Sequence, residues 1–221
     1  MRQWTKENYR EMPWKNGGGS TKELAIFPEG ATIDRFIWRL STATMTQSGP
    51  FSYFPQVDRT LALLSGQGLI LKQESDSRIQ EVVTLDVASQ PYPFSGEAAI
   101  FAELVSSPDH QSSGVVDLNM MTQRDVCQHH MQRLSAGEHI IADNDAQQWL
   151  LYCAKGSATL NADLKMQTED LILLEEEQER SGIQLHVQAD DEAILFSIRI
   201  RFLNHTQITS KARSNSFGSR T

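Results

Sequence analysis

The chain is poor in the residues that most metal and cofactor chemistry needs. Cysteine occurs only twice in 221 residues, at Cys127 and Cys153, and the two form no Cys-x2-Cys pair. The six histidines, His110, His129, His130, His139, His186 and His205, include no His-x-His and no His-x3-His. Such spacings put two ligands on one ion, so no metal and no cofactor is expected. Both cysteines sit in apolar, strand-like runs and read as buried, reduced thiols. There is no Gly-x-Ser-x-Gly, the strained turn that exposes a nucleophilic serine. Gly66-Gln67-Gly68 lacks the Lys-Ser/Thr of a phosphate loop. No run approaches the ~18 apolar residues that cross a bilayer, and Met1-Arg2-Gln3-Trp4-Thr5-Lys6-Glu7 has no apolar core of a secretory signal. A cytoplasmic protein with no membrane partner is the expectation.

Positive charge is scarce as well. Lys and Arg number 20 against 28 Asp and Glu, for a net charge of −8. Three of those cations, Lys211, Arg213 and Arg220, fall in the acid-free stretch 204–221, so the body is more acidic still. An acidic body repels phosphate backbones, which argues against nucleic acid as a partner. The stretch 204–221 is Ser/Thr/Asn/Arg-rich and is expected to be disordered.

What the chain does have is a succession of short apolar runs cut by Gly, Pro, Asn and Asp. Alternation with period two and β-branched residues predict strands near 24–27, 36–44, 60–64, 69–71, 82–85, 98–105, 115–121, 126–134, 149–154, 158–160, 171–174, 183–187 and 194–202. The one helical signal is Thr5-Lys6-Glu7-Asn8-Tyr9-Arg10, and it is short. Strands at this density indicate an all-β sandwich or barrel. A repeat runs through them. Leu61-Ala62-Leu63-Leu64-Ser65-Gly66-Gln67-Gly68-Leu69-Ile70-Leu71 and Leu150-Leu151-Tyr152-Cys153-Ala154-Lys155-Gly156-Ser157-Ala158-Thr159-Leu160 are both strand, glycine turn, strand, and each leads on to a long apolar strand. That order predicts a duplicated β-sandwich.

The polar residues inside strand-like runs fall mostly in the first half. In Phe36-Ile37-Trp38-Arg39-Leu40-Ser41, Arg39 and Ser41 share a strand face. Arg59 opens a second apolar run. A buried arginine is costly unless paired. Either one alone is satisfied by a local acid, Glu23 or Asp34 for Arg39 and Asp58 for Arg59. Together, with Lys15 and Asn16 nearby in sequence, they suit a carboxylate, which a guanidinium grips with two parallel bonds. Asp117, Asn119 and Met121 share one face of a further strand, and an asparagine both donates and accepts. Phe51 and Phe54, bracketed by Pro50 and Pro55, and Trp14, beside the triple glycine Gly17-Gly18-Gly19, supply rigid walls.

Several of these segments resemble the HutD/Ves family of bicupin proteins. The likeness runs through Met12-Pro13-Trp14-Lys15-Asn16-Gly17-Gly18-Gly19-Ser20-Thr21-Lys22-Glu23, Phe36-Ile37-Trp38-Arg39-Leu40-Ser41-Thr42-Ala43 and Gly49-Pro50-Phe51-Ser52-Tyr53-Phe54-Pro55-Gln56-Val57-Asp58-Arg59. It resumes in Tyr92-Pro93-Phe94-Ser95-Gly96 and Asp117-Leu118-Asn119-Met120-Met121-Thr122-Gln123-Arg124. The resemblance implies two tandem cupin-like antiparallel β-sandwiches, an N-terminal half over 1–126 with a metal-free ligand site and a C-terminal half over 127–203. It also implies an association with histidine utilisation, a small carboxylate ligand such as urocanate or a formylated or formiminated glutamate, and no established enzyme activity. The chain departs from the family pattern at Gln56-Val57, where relatives have a small residue, usually Gly, and at Gln123, where many have a second Arg.

The expected function is therefore metal-independent binding of a small carboxylate by Trp14, Lys15, Asn16, Arg39, Ser41, Phe51, Phe54, Arg59 and Asn119, with no catalytic residue assigned. Two alternatives stay open: an isomerase or hydrolase of a related acid, using Glu23, Asp58 or Asp117 as acid or base, and a non-catalytic protein-interaction module. A homodimer also stays open, since nothing in the sequence specifies an interface.

Overall fold

In the computed structural model described here, placed residues are 1–75, 78–105, 114–143, 145–175 and 183–203. The expectation of disorder over 204–221 lies outside them. Among the described residues every regular element is a strand apart from one 3-10 turn. β1 (Arg2–Trp4) comes first and the turn, Lys6–Asn8, follows. The helical signal goes no further because Asn8 Oδ1 accepts the Thr5 N–H at 2.8 Å and Tyr9 is already extended.

The next strands are β2 (Arg10–Pro13), β3 (Gly19–Phe27), β4 (Trp38–Met45), β5 (Gly49–Pro50), β6 (Val57–Ser65), β7 (Leu69–Ser75), β8 (Arg78–Leu85), β9 (Tyr92–Ser95), β10 (Ala99–Leu104) and β11 (Val115–Gln123). They are followed by β12 (Cys127–Leu134), β13 (Gly137–Asp143), β14 (Gln148–Lys155), β15 (Ser157–Leu160), β16 (Leu164–Gln167), β17 (Leu171–Glu175), β18 (Ile183–Ala189) and β19 (Ile194–Phe202). Each strand expected from alternation is present. Those that alternation did not reveal, such as β1, β2, β5 and β13, are short or exposed, and so carry little apolar signal.

Two compact units result: Arg10–Asp125, and Val126 onward together with Met1–Tyr9. The units meet in sequence between Asp125 and Val126, and the first nine residues are separated in sequence from the unit they join. They belong to the second unit because β1 pairs antiparallel with β17, from Arg2 opposite Leu173 to Trp4 opposite Leu171. A three-residue strand gives no periodicity from which that pairing could be read.

Each unit is a sandwich of antiparallel sheets. The first packs β2-β3-β4-β11-β6-β9 against β5-β10-β7-β8, and the second packs β1-β17-β14-β19-β12 against β13-β18-β15-β16. The core of the first joins Met45, Leu61, Leu63 and Val115 of one sheet to Leu69, Leu71, Leu85 and Ile100 of the other. The core of the second joins Trp149, Leu151, Ile172 and Leu195 to Leu160, Met166, Leu185 and Val187. The strand orders correspond: β4-β11-β6-β9 to β12-β19-β14-β17, and β5-β10-β7-β8 to β13-β18-β15-β16. The fold is a bicupin, all-β, built by duplication.

Gly66 and Gly156, the glycines of the sequence repeat, occupy the same place in the two copies. Gly66 connects β6 to β7 at φ +110°, and Gly156 connects β14 to β15 at φ +76°. A Cβ on Gly66 would lie 2.9 Å from Val115 Cα, and one on Gly156 would lie 2.8 Å from Ala193 Cα. Both turns therefore lie against the chain entering the last long strand of their own sandwich. Gly66→Ala adds backbone strain and overlap together, and is expected to cost about 2–4 kcal/mol. Gly17→Ala, with φ +71° but open space around it, is expected to cost about 1 kcal/mol. Urea unfolding of the two variants measures the difference.

Candidate functional site

Residues opposite one another on paired strands share a face of the sheet. On the inner face of the six-stranded sheet, Arg39 on β4 stands opposite Met121 on β11, which stands opposite Arg59 on β6, which stands opposite Phe94 on β9. The next row is Glu23, Ser41, Asn119, Leu61 and Tyr92. The row beyond is Thr21, Ala43, Asp117 and Leu63. The face that buries Leu61 and Leu63 against the second sheet thus also carries two arginines, two acids, a serine and an asparagine. The arginines lie two strand spacings apart, about 10 Å between their Cα atoms. Both are only 5% exposed.

Each arginine is held differently. Arg39 donates from Nε to Glu23 Oε2 at 2.7 Å and from Nη1 to Ser41 Oγ at 3.2 Å. Of the local acids the sequence offers it, Glu23 is the partner. Arg59 has no such acid. Asp58 projects from the other face of β6 and pairs with Arg124 at 2.8 Å. The Arg59 guanidinium lies over three rings instead, with Cζ at 5.0 Å from Phe51, 5.6 Å from Phe54 and 4.9 Å from Phe94. Its Nη1 makes one long bond to Ser52 O at 3.3 Å, and its Nε has no protein partner. The ring contacts hold the cation in place but give it no counter-charge. Burial lowers its pKa to about 10, the charge of Asp117 opposes that shift and Arg39 adds to it, so Arg59 stays charged at neutral pH.

Asp117 is 2% exposed. Burial raises its pKa to about 7 against the pull of Arg59 and of the Ala43 backbone N–H. Its Oδ1 has no protein partner, and neither has Asn119 Oδ1 on the same face. One unpartnered donor and two unpartnered acceptors thus share this face. Buried polar atoms are rarely left so, and each costs about 1–3 kcal/mol while unpaired. Glu23, Phe51, Phe54 and Asn119, on or beside the same face, are half-buried.

Of the residues singled out in the sequence, Arg39, Ser41, Arg59 and Asn119 lie on this one sheet face, and Phe51 and Phe54 lie against Arg59. Trp14 is half-buried against the adjoining core, and its Nε1–H donates to Thr21 Oγ1 at 2.8 Å on the same face. Lys15 and Asn16 stand apart. Both are exposed at the tip of the β2–β3 hairpin. Asn16 Oδ1 turns back to accept the Gly18 N–H at 3.0 Å. The triple glycine is a fixed part of this hairpin. Gly18 O accepts from Thr46 N at 2.9 Å, and a Cβ on Gly19 would fall 2.1 Å from Thr44 O. Phe94 is the site residue that strand patterning missed, because a four-residue strand containing Pro93 gave no alternation.

The two departures from the family pattern lie beside the site. Gln56 adopts φ +58°, the left-handed region glycine favours, and its N–H is taken by Glu97. Arg124, next to Gln123, belongs to a surface network with Asp58, Ser95 and Glu97. Arg124, with Ser95 and the Gln56 N–H, holds the Glu97 carboxyl down at about 2.

The second sandwich offers a contrast. Its equivalent row is His130, Arg199 and Trp149, beside an open groove of about 220 Å³. There Arg199 is satisfied, bonded to Asp143 Oδ2 at 2.9 Å and to His130 Nδ1 at 3.0 Å. Among the described residues no three His, Cys, Asp or Glu side chains are grouped to hold a metal ion, and no helix is long and apolar enough to cross a membrane.

A family model described as HutD matches residues 6–195. Protein Ves of Citrobacter koseri is 38% identical over 121 residues, which are 53% of this chain and 57% of that protein, so the match spans little more than half of that relative. Protein Ves of Cronobacter sakazakii is 32% identical over 158 residues, 70% of this chain and 78% of that one. The solved structure of HutD from Pseudomonas fluorescens SBW25 aligns with TM-score 0.75 at 23% identity, over 92% of this chain and 99% of that one. At that identity the structural likeness speaks for the fold.

The raised pKa of Asp117 has a consequence for stability. A carboxyl that is harder to ionise folded than unfolded favours the fold while it is protonated. Its contribution is complete below about pH 3.8, and it is lost as pH rises through about 7. Asp117→Asn removes this dependence. The variant is expected to gain roughly 1–4 kcal/mol over the parent protein at pH 8, and nothing near pH 4. Thermal melts of both proteins across that range check the sign.

Proposed function

The chain belongs to the HutD family, and from that premise we propose that the inner face of its first sandwich binds a small carboxylate metabolite, with arginines rather than a metal ion neutralising its charge. The observation that carries this reading is Arg59, a buried cation whose Nε has no partner and which, among the described residues, donates to no carboxylate oxygen. A ligand carboxylate between Arg59 and Arg39 supplies the missing counter-charge and the missing acceptor together. Charge-assisted bonds of this kind contribute about 1.5–3 kcal/mol each. Ser41 and Asn119 are placed to bond a second polar group. Phe51, Phe54 and Phe94 keep the guanidinium from swinging away before the ligand arrives, which lowers the ordering cost of binding.

The family's association with histidine utilisation makes urocanate and formylated or formiminated glutamates the first ligands to try. Sensing their level is the role this reading gives the protein. One observation favours a second reading. Asp117, its pKa pushed up to about 7 on the same face, is poised as a general acid or base. Turnover of a candidate ligand by purified protein, abolished in Asp117→Asn, supports that reading, and an unchanged ligand after prolonged incubation removes it.

Binding itself is tested with Arg59→Met, which keeps most of the volume among the three rings and removes the charge. Titration calorimetry with urocanate and with glutarate should show an affinity loss of about tenfold or more, with melting unchanged or raised because a buried charge has gone. Equal affinity in the variant and the parent overturns the proposal.

A further inference from the structure

Asp117 has no part in gripping the carboxylate, yet the fold keeps it on the site face. Its row on β11 lies four residues from the Arg39–Met121–Arg59 row, about 13 Å along the strand. Between the two rows stand Ser41, Asn119 and Leu61. The groups that act on Asp117 are Arg59 from β6 and the Ala43 backbone N–H; on the same sheet face Arg39 from β4 acts on Arg59 and is paired with Glu23 from β3. From the opposite sheet, Glu81 on β8 is engaged by Tyr92. The site therefore has two poles, one cationic and one acidic, and the acidic pole ends in the unpartnered oxygens of Asp117 and Asn119.

We propose that Asp117 determines specificity: it accepts a hydrogen bond from a donor at the far end of the bound molecule, so the site selects acids that carry an N–H group over dicarboxylates of similar length. The inference rests on the reading of the arginine pair given above. A dicarboxylate held by the arginines puts its second carboxylate near Asp117, where two like charges cannot both stay ionised without cost. It fits only when Asp117 holds a proton and donates it to that carboxylate. A ligand with an amidine, guanidine or imidazole N–H meets the ionised form instead and pairs with it. Selectivity therefore follows the protonation of Asp117, and it rises with pH.

The test uses γ-guanidinobutyrate and glutarate, two acids of similar length that differ in the far group. In the parent protein, titration calorimetry should show γ-guanidinobutyrate preferred by about tenfold or more at pH 8, with the preference shrinking toward about pH 6. Asp117→Asn is isosteric, and its melting temperature verifies that it folds. In this variant the preference should fall to about twofold or less at both pH values, and the pH dependence should vanish. Should Asp117→Asn keep the parent's selectivity and pH slope, the inference is overturned while the arginine site stands. Should neither acid bind the parent protein at millimolar concentration, the arginine site and the inference both fall.

Discussion

Burying a guanidinium without an acid to meet it is the constraint on which the first sandwich turns. A cation in a β core is tolerated when its charge is matched and its hydrogens are placed. Arg39 meets that condition through Glu23 and Ser41. Arg59 does not, and the fold surrounds it with Phe51, Phe54 and Phe94. Rings attract a cation through their faces, but they neither neutralise it nor accept a strong hydrogen bond. The unmet part of the requirement is what a ligand would supply. On the proposed reading, recognition energy resides in this unsatisfied group, which is most stable when a ligand meets it.

Duplication supplies an internal control. The same row in the second sandwich holds His130, Arg199 and Trp149. There Arg199 is bonded to Asp143 and His130. One scaffold thus carries an arginine already neutralised by its own chain and another that is not. The difference arises from single residues on equivalent strands, while strand order, glycine turns and apolar cores are kept. On the reading proposed above, function lies in a few inner-face positions, and the rest of each sandwich holds those positions in register.

The fold was legible because its signal is repeated. Alternation marked the long strands, and the pair of glycine turns at Gly66 and Gly156 revealed the duplication. β1 escaped, since three residues carry no period, and with it the membership of residues 1–9 in the second unit. The site was legible in part. Arg39 with Ser41, and Asp117 with Asn119, were grouped by strand parity alone. Whether Arg39 and Arg59 share a face depends on how β4, β11 and β6 are aligned, which includes a bulge between Val116 and Asp117, and parity within one strand says nothing about that. Lys15 and Asn16 were drawn in by nearness in sequence to the triple glycine, but the hairpin turns them outward. Phe94 and the raised pKa of Asp117 follow from burial across strands, which no local pattern encodes.

The most direct measurement is a crystal structure of the protein grown with a small carboxylate at saturating concentration. The account predicts carboxylate oxygens within hydrogen-bond distance of both Arg39 and Arg59, with the Arg59 guanidinium still seated among Phe51, Phe54 and Phe94. An acid found instead in the groove beside Arg199, or an Arg59 side chain turned out to solvent with nothing bound beside it, would contradict it.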